Sequence, residues 1–146
     1  MSIFENLQML IFGIKYTENV IPGFAATTKG PFIKMLPIYK YDAGLLEHEK
    51  VHVRQWYALL AIGVLISTLL TLLVSLSFLP LYGLSLFLHQ SLYKFIRPYR
   101  RWCEVQAYRK QIAVGGYISN DFAVTTLVEK YDLNLSADEA QALLFD

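Results

Sequence analysis

The chain has 146 residues, room for one domain spanning residues 1–146 but not comfortably for two. At 55% hydrophobic and 17% charged, with a mean hydropathy of +0.37, it is greasier than ordinary soluble domains, in which about 25% of residues carry charge. A net charge of +1 gives no basic surface for nucleic acid, and the single cysteine, Cys103, excludes an internal disulfide framework.

From Ser2 to Lys15, Ile3, Leu7, Leu10 and Ile11 recur near one face. That spacing, with Ser2 as N-cap, predicts a short amphipathic helix that covers the core. No basic region and no small-residue cleavage site accompany it, so no export signal is expected. Turn punctuation then takes over at Pro22-Gly23, Gly30-Pro31 and Pro37. The run Phe32–Leu36 between two of these marks predicts a strand, with Gly23–Thr28 as its hairpin partner. Pro37 places the end of that strand, or the edge of a sheet, just upstream of the stretch described next. An edge strand there would let an extended peptide dock by strand addition; a plain structural hairpin is the alternative.

Asp42 is a good N-cap for a helix carrying His48-Glu49-Lys50-Val51-His52, a His-Glu-x-x-His motif that uses two of the three histidines in the chain. Positions four apart share a helix face, so His48 and His52 can reach one metal ion. Glu49 projects beside them, where a carboxylate can take a proton from metal-activated water. Leu45, Leu46, Val53 and Trp56 supply apolar packing that fixes the ligand rotamers. Two surface histidines on a charged helix would give the same letters without the chemistry.

Between Gln55 and Tyr93 there is no Asp, Glu, Lys or Arg. Tyr57–Phe78 would make a helix of about 33 Å, enough to cross a hydrocarbon core. Pro80 and Gly83 break the run before a shorter apolar arm, Leu84–Ile96. Residues 57–96 are therefore expected to form a membrane hairpin, spanning or re-entrant, rather than a buried helical pair. A domain this small could hardly bury so many apolar side chains. Lys50 and Arg54 before it and Lys94, Arg97, Arg100 and Arg101 after it put both ends at the cytoplasmic face of the inner membrane.

Pro98 suits the first turn of a further helix, which Gly115-Gly116 would stop near Val114. Glu104 on it is the best third ligand, because hydrolytic zinc sites keep three protein ligands and leave the fourth position to water. Ala107, facing the same way, lets the two helices approach closely. Cys103 points away and reads as a packing residue. In the tail, Ser119 or Asn120 would cap a helix from Asp121 to about Tyr131, and Ser136-Ala137-Asp138-Glu139 forms a capping box. Ala123, Leu127 and Val128 would pack this tail on the metal helices, and Asp121 would orient a ligand histidine.

Residues 42–112 resemble the zinc metallopeptidases of the gluzincin type, and within them the membrane-embedded group of the CAAX prenyl protease and the bacterial heat-shock membrane protease. Those proteins, like this chain, run His-Glu-x-x-His, an apolar segment, then Glu-x-x-Ala, here Glu104-Val105-Gln106-Ala107. The chain is also similar to small metallopeptidase-like proteins encoded by phages. The resemblance implies zinc ligands at His48, His52 and Glu104, a general base at Glu49, and a peptide or protein substrate. Two departures stand out. Tyr108 replaces the aspartate that usually follows the alanine, and the chain is far shorter than the full-length membrane proteases.

The fold expected is α+β: mainly helical with a small β-hairpin, a minimal zincin-like core into which an apolar helical hairpin is inserted. The function expected is hydrolysis of peptide bonds at the membrane, with Tyr108, which shares the face of Glu104, as the first candidate to donate to the oxyanion, ahead of Arg109, Tyr117 and Tyr41. The alternatives are a non-catalytic membrane or virion protein with a structural zinc site, and a membrane-lysis protein.

Overall fold

The computed structural model describes residues 11–146. Three short strands, β1 (Gly13–Tyr16), β2 (Ala26–Lys29) and β3 (Phe32–Met35), form a sheet in the order β1-β3-β2. β2 and β3 make the expected hairpin, turned at Gly30, whose φ of +60° is open to glycine at little cost. β1 lies parallel to β3, with Ile14 opposite Ile33.

Two expectations are corrected here. Of the amphipathic helix predicted over Ser2–Lys15, residues 2–10 lie outside the described residues, but Gly13–Tyr16 is strand. Pairing along β3, continued by Thr17 N–H donating to the Met35 carbonyl at 2.9 Å, outweighs a local periodicity of only a few residues. And β3 is the central strand, because β1 occupies its second side; β1 and β2 are the edges.

Six α-helices follow: α1 (Ala43–Leu73), α2 (Leu81–Ser85), α3 (Leu88–Phe95), α4 (Arg97–Gly115), α5 (Asp121–Glu129) and α6 (Ala137–Phe145). The protein is thus α+β and mostly helical. Asp42 caps α1, its Oδ1 accepting from Leu45 N–H at 2.8 Å. Gly116, at φ +61°, closes α4 in the left-handed conformation. The capping box at Ser136 and Glu139 opens α6, and α5 ends at Glu129, short of Tyr131.

α1 is one continuous helix of about 46 Å that carries the metal motif in its first half and the apolar stretch in its second. Its ladder stops at Leu73 rather than Phe78, where Ser75 Oγ accepts from Ser77 N–H and offers the backbone a turn instead. The chain returns along α1 as α2 and α3. The return leg is broken in two beside Leu86, whose carbonyl accepts from the Trp56 indole at 3.0 Å. Gly63 lets the legs touch: a Cβ there would lie 2.8 Å from Ser85 Cβ.

The two halves of α1 meet different surroundings. Around the motif, Leu45, Val53 and Trp56 are buried against the sheet, α4 and the return leg. Beyond Ala61 the large side chains are open, Leu65 at 59% and Leu72 at 75%, so the apolar hairpin is not a buried helical pair. α1 is long and apolar enough to cross a membrane. The core of the tail joins Ala123 and Leu127, with Val128 packed beside them as expected, and also Ala140 and Leu144, to Val105 and Tyr108 of α4.

Candidate metal centre

α1 and α4 cross with Ala107 fully buried between them, and the first turn of α1 meets the last turns of α4 so closely that a Cβ on Gly44 would lie 2.7 Å from Gly115 Cα. This approach brings Glu104 to the histidine face of α1. His48 Nε2 and His52 Nε2 are 3.2 Å apart; Glu104 Oε1 lies 3.4 Å from His52 Nε2, and Glu104 Oε2 lies 3.7 Å from His48 Nε2. A tetrahedral ion with bonds of 2.0–2.1 Å sets its ligand atoms about 3.3 Å apart, so the three side chains fit a metal with little adjustment.

The electrostatics point the same way. Glu104 is 1% exposed and its Oε2 has no hydrogen-bond partner among the described residues. A buried carboxylate without a compensating charge costs several kcal/mol (about 3–5 when a pair is broken). Burial pushes His48 well below its ordinary pKa, so its imidazole stays neutral and supplies no such charge. A bound cation would. His48, His52 and Glu104 therefore form a buried cluster with the spacing and donor set of a metal site.

Glu49 stands beside the cluster, buried, and its Oε2 accepts from the Thr28 hydroxyl at 2.5 Å. Burial raises its pKa to about 6, against the lowering effects of His52 and the Thr28 bond. Tyr93 on α3 donates to Glu104 Oε1 at 2.5 Å. His52 Nδ1 donates to Gln55 Oε1 at 3.0 Å, and Gln55 Nε2 in turn donates to the Cys103 carbonyl at 3.1 Å. Cys103 itself is fully buried, and burial pushes its thiol up to about 12, in keeping with a packing role.

A cavity of about 490 Å³ opens onto His48, Glu49, His52 and Glu104. One wall is edge strand β2, another is α3 with His89 and Tyr93, and the far side is made by Arg100 and Tyr131. His89 is fixed by a 2.7 Å hydrogen bond between its Nδ1 and the Tyr99 hydroxyl.

The expected oxyanion donors do not line this cavity. Tyr108 stands with its ring edge-on to His48, centroids 4.5 Å apart, and its hydroxyl turned to Tyr131 at 3.2 Å. Tyr41 is open to solvent, Arg109 Nε donates to the Leu143 carbonyl, and Tyr117 donates to Asp42. Asp121, expected to orient a ligand histidine, lies exposed at the start of α5, its backbone N–H held by Ser119 Oγ. Thr28, Gln55, His89, Tyr93, Gln111 and Tyr131 were not legible as site residues. The only signal for any of them is helical spacing: Gln55 falls one turn after His52 on α1, and Gln111 two turns after Glu104 on α4.

No protein-family model matches the chain, and neither the curated proteins nor the solved structures contain a match to it.

Proposed function

We propose that the protein is a membrane-associated zinc peptidase. The observation that carries the reading is the triangle of His48, His52 and Glu104, with the Glu49 carboxylate held beside it at the floor of an open cavity. Two imidazoles and one carboxylate facing a cavity suit hydrolytic zinc. Zinc held there supplies an acidified water and a Lewis acid for a carbonyl oxygen.

The chain's own residues do the rest. Glu49, oriented by Thr28, accepts the proton of the attacking water and returns it to the leaving amine. Tyr131 takes the oxyanion role expected of Tyr108: it faces the cavity, and burial holds its phenol protonated, a standing donor. Tyr108 acts behind it, through the contact between their hydroxyls. The edge of β2 that no described residue pairs with runs along the cavity and offers an extended peptide backbone a strand to pair with, in place of β3.

The hairpin supports a membrane location. Tyr57–Leu73 rises about 26 Å, just short of a hydrocarbon core of about 30 Å, and the chain then returns to the body that holds Glu104. Such a hairpin would enter a bilayer and leave it on the same side, and the basic residues at its base, Arg54, Lys94 and Arg97, support a location of the metal centre at the cytoplasmic face of the inner membrane. Protein in lipid vesicles should cleave unstructured peptides only when zinc is present, and chelation followed by zinc addition should stop and restore cleavage. Unfolding on chelation, with no cleavage under any condition, would instead mark the metal as structural.

A further inference from the structure

His48 Nδ1 and Gln111 Oε1 are each buried, and neither has a hydrogen-bond partner among the described residues. The two side chains are neighbours: an unpaired ring nitrogen that can donate lies near an unpaired amide oxygen that can only accept. The orientation of the Gln111 amide is settled from its other end. Asp42 Oδ1 accepts from Leu45 N–H at 2.8 Å and from the Tyr117 hydroxyl at 2.6 Å. A phenol that spends its one proton on a carboxylate can only accept from its other neighbour, and Gln111 Nε2 donates to it at 3.2 Å. The amide oxygen is left facing His48, where it can be satisfied only by an N–H.

We propose that Asp42, Tyr117 and Gln111 form a one-way hydrogen-bond relay that holds His48 with its proton on Nδ1 and its Nε2 lone pair toward the metal. Gln111 is then a positioning residue for the centre, and this assignment rests on the metal reading given above. The relay does for His48 what Gln55 does for His52, whose amide is fixed in the same sense by the Cys103 carbonyl. Both ligand imidazoles are thus oriented by neutral amides rather than by carboxylates. That leaves Glu104, among the described residues, as the one anionic group contacting the ligand nitrogens, while Glu49 keeps its own bond to Thr28. Asp42 thereby serves α1 twice, because the carboxylate that starts the helix also fixes the tautomer of a ligand one and a half turns along it.

The test reads the tautomer and the metal separately. Long-range nitrogen–proton correlation spectra of the metal-free protein should show His48 and His52 both protonated on Nδ1. Gln111→Leu should lower zinc affinity, measured by chelator competition, by about 10–100-fold. It should also release His48 from the Nδ1–H form while His52 keeps it. Gln111→Glu, which retains an acceptor, should restore most of the affinity. A wild-type His48 protonated on Nε2, or a folded Gln111→Leu that binds zinc as tightly as wild type, would overturn the relay. A wild type that takes up no zinc would overturn the metal centre itself, and with it the purpose assigned to Gln111.

Discussion

The Thr28 hydroxyl donates a 2.5 Å hydrogen bond to Glu49 Oε2, tying edge strand β2 to the carboxylate next to the histidine pair. A single contact thereby couples the cavity wall to the proposed base. Hydrogen bonds to charged groups contribute about 1.5–3 kcal/mol. Thr28→Val, which keeps the branched shape and loses the donor, should lower kcat at least about tenfold and leave zinc affinity unchanged. Steady-state kinetics beside a zinc titration checks this; an unchanged kcat would remove Thr28 from the machinery.

Gly44 is where α1 and α4 come closest. A methyl group there would lie 2.7 Å from Gly115 Cα and 2.8 Å from the Gln111 carbonyl oxygen, both backbone atoms that cannot swing aside. Gly44→Ala should therefore cost about 1–3 kcal/mol, seen as a lower Tm. It should weaken zinc binding as well, because the same crossing sets the distance from Glu104 to the histidines. Gly83→Ala, with nothing within 4 Å of its Cβ, should leave both unchanged.

Much of this could be read from local sequence. The motif at His48–His52, its cap at Asp42, the stop at Gly116 and the capping box at Ser136 depend on neighbours a few residues away, and the structure has them where the pattern puts them. Glu104, expected from the ligand count as the third donor on a second helix, stands with the two histidines. What escaped depends on contacts between distant segments. β1 is strand only because β3 offers it an edge, and β3 is central rather than an edge for the same reason. Thr28, Tyr93 and Gln55 are ordinary residues until folding sets them against Glu49, Glu104 and His52. Tyr108 shares the Glu104 face as predicted, but helical periodicity says nothing about the rotamer that turns its hydroxyl to Tyr131.

Leu65 and Leu69 are about half exposed on the distal part of α1 and hold no part of the metal centre. Replacing both by lysine places two charges where the bilayer interior is proposed, at roughly 2.5–3.5 kcal/mol each. The double variant should fail to float with lipid vesicles yet bind zinc as wild type does. Equal flotation of the two proteins would contradict a membrane-inserted hairpin.

Glu104 carries an opposite pair of expectations with and without metal. In the metal-free protein its buried carboxylate is a burden, so Glu104→Gln should raise the Tm of that form, the amide still accepting from Tyr93. Added zinc should raise the Tm of wild type, as a ligand that binds only the folded state must, and should do little for the variant. Thermal melts of both proteins with chelator and with zinc give all four values.

Glu49 is the group on which the proposed chemistry depends, because it moves the proton. The direct measurement is peptide cleavage by Glu49→Gln loaded with zinc, side by side with wild type. The amide fills the same space and can still accept from Thr28, but it cannot take a proton from water. One zinc per chain in both proteins, with cleavage lost in the variant, is the predicted result. Cleavage by Glu49→Gln at the wild-type rate would contradict Glu49 as the base.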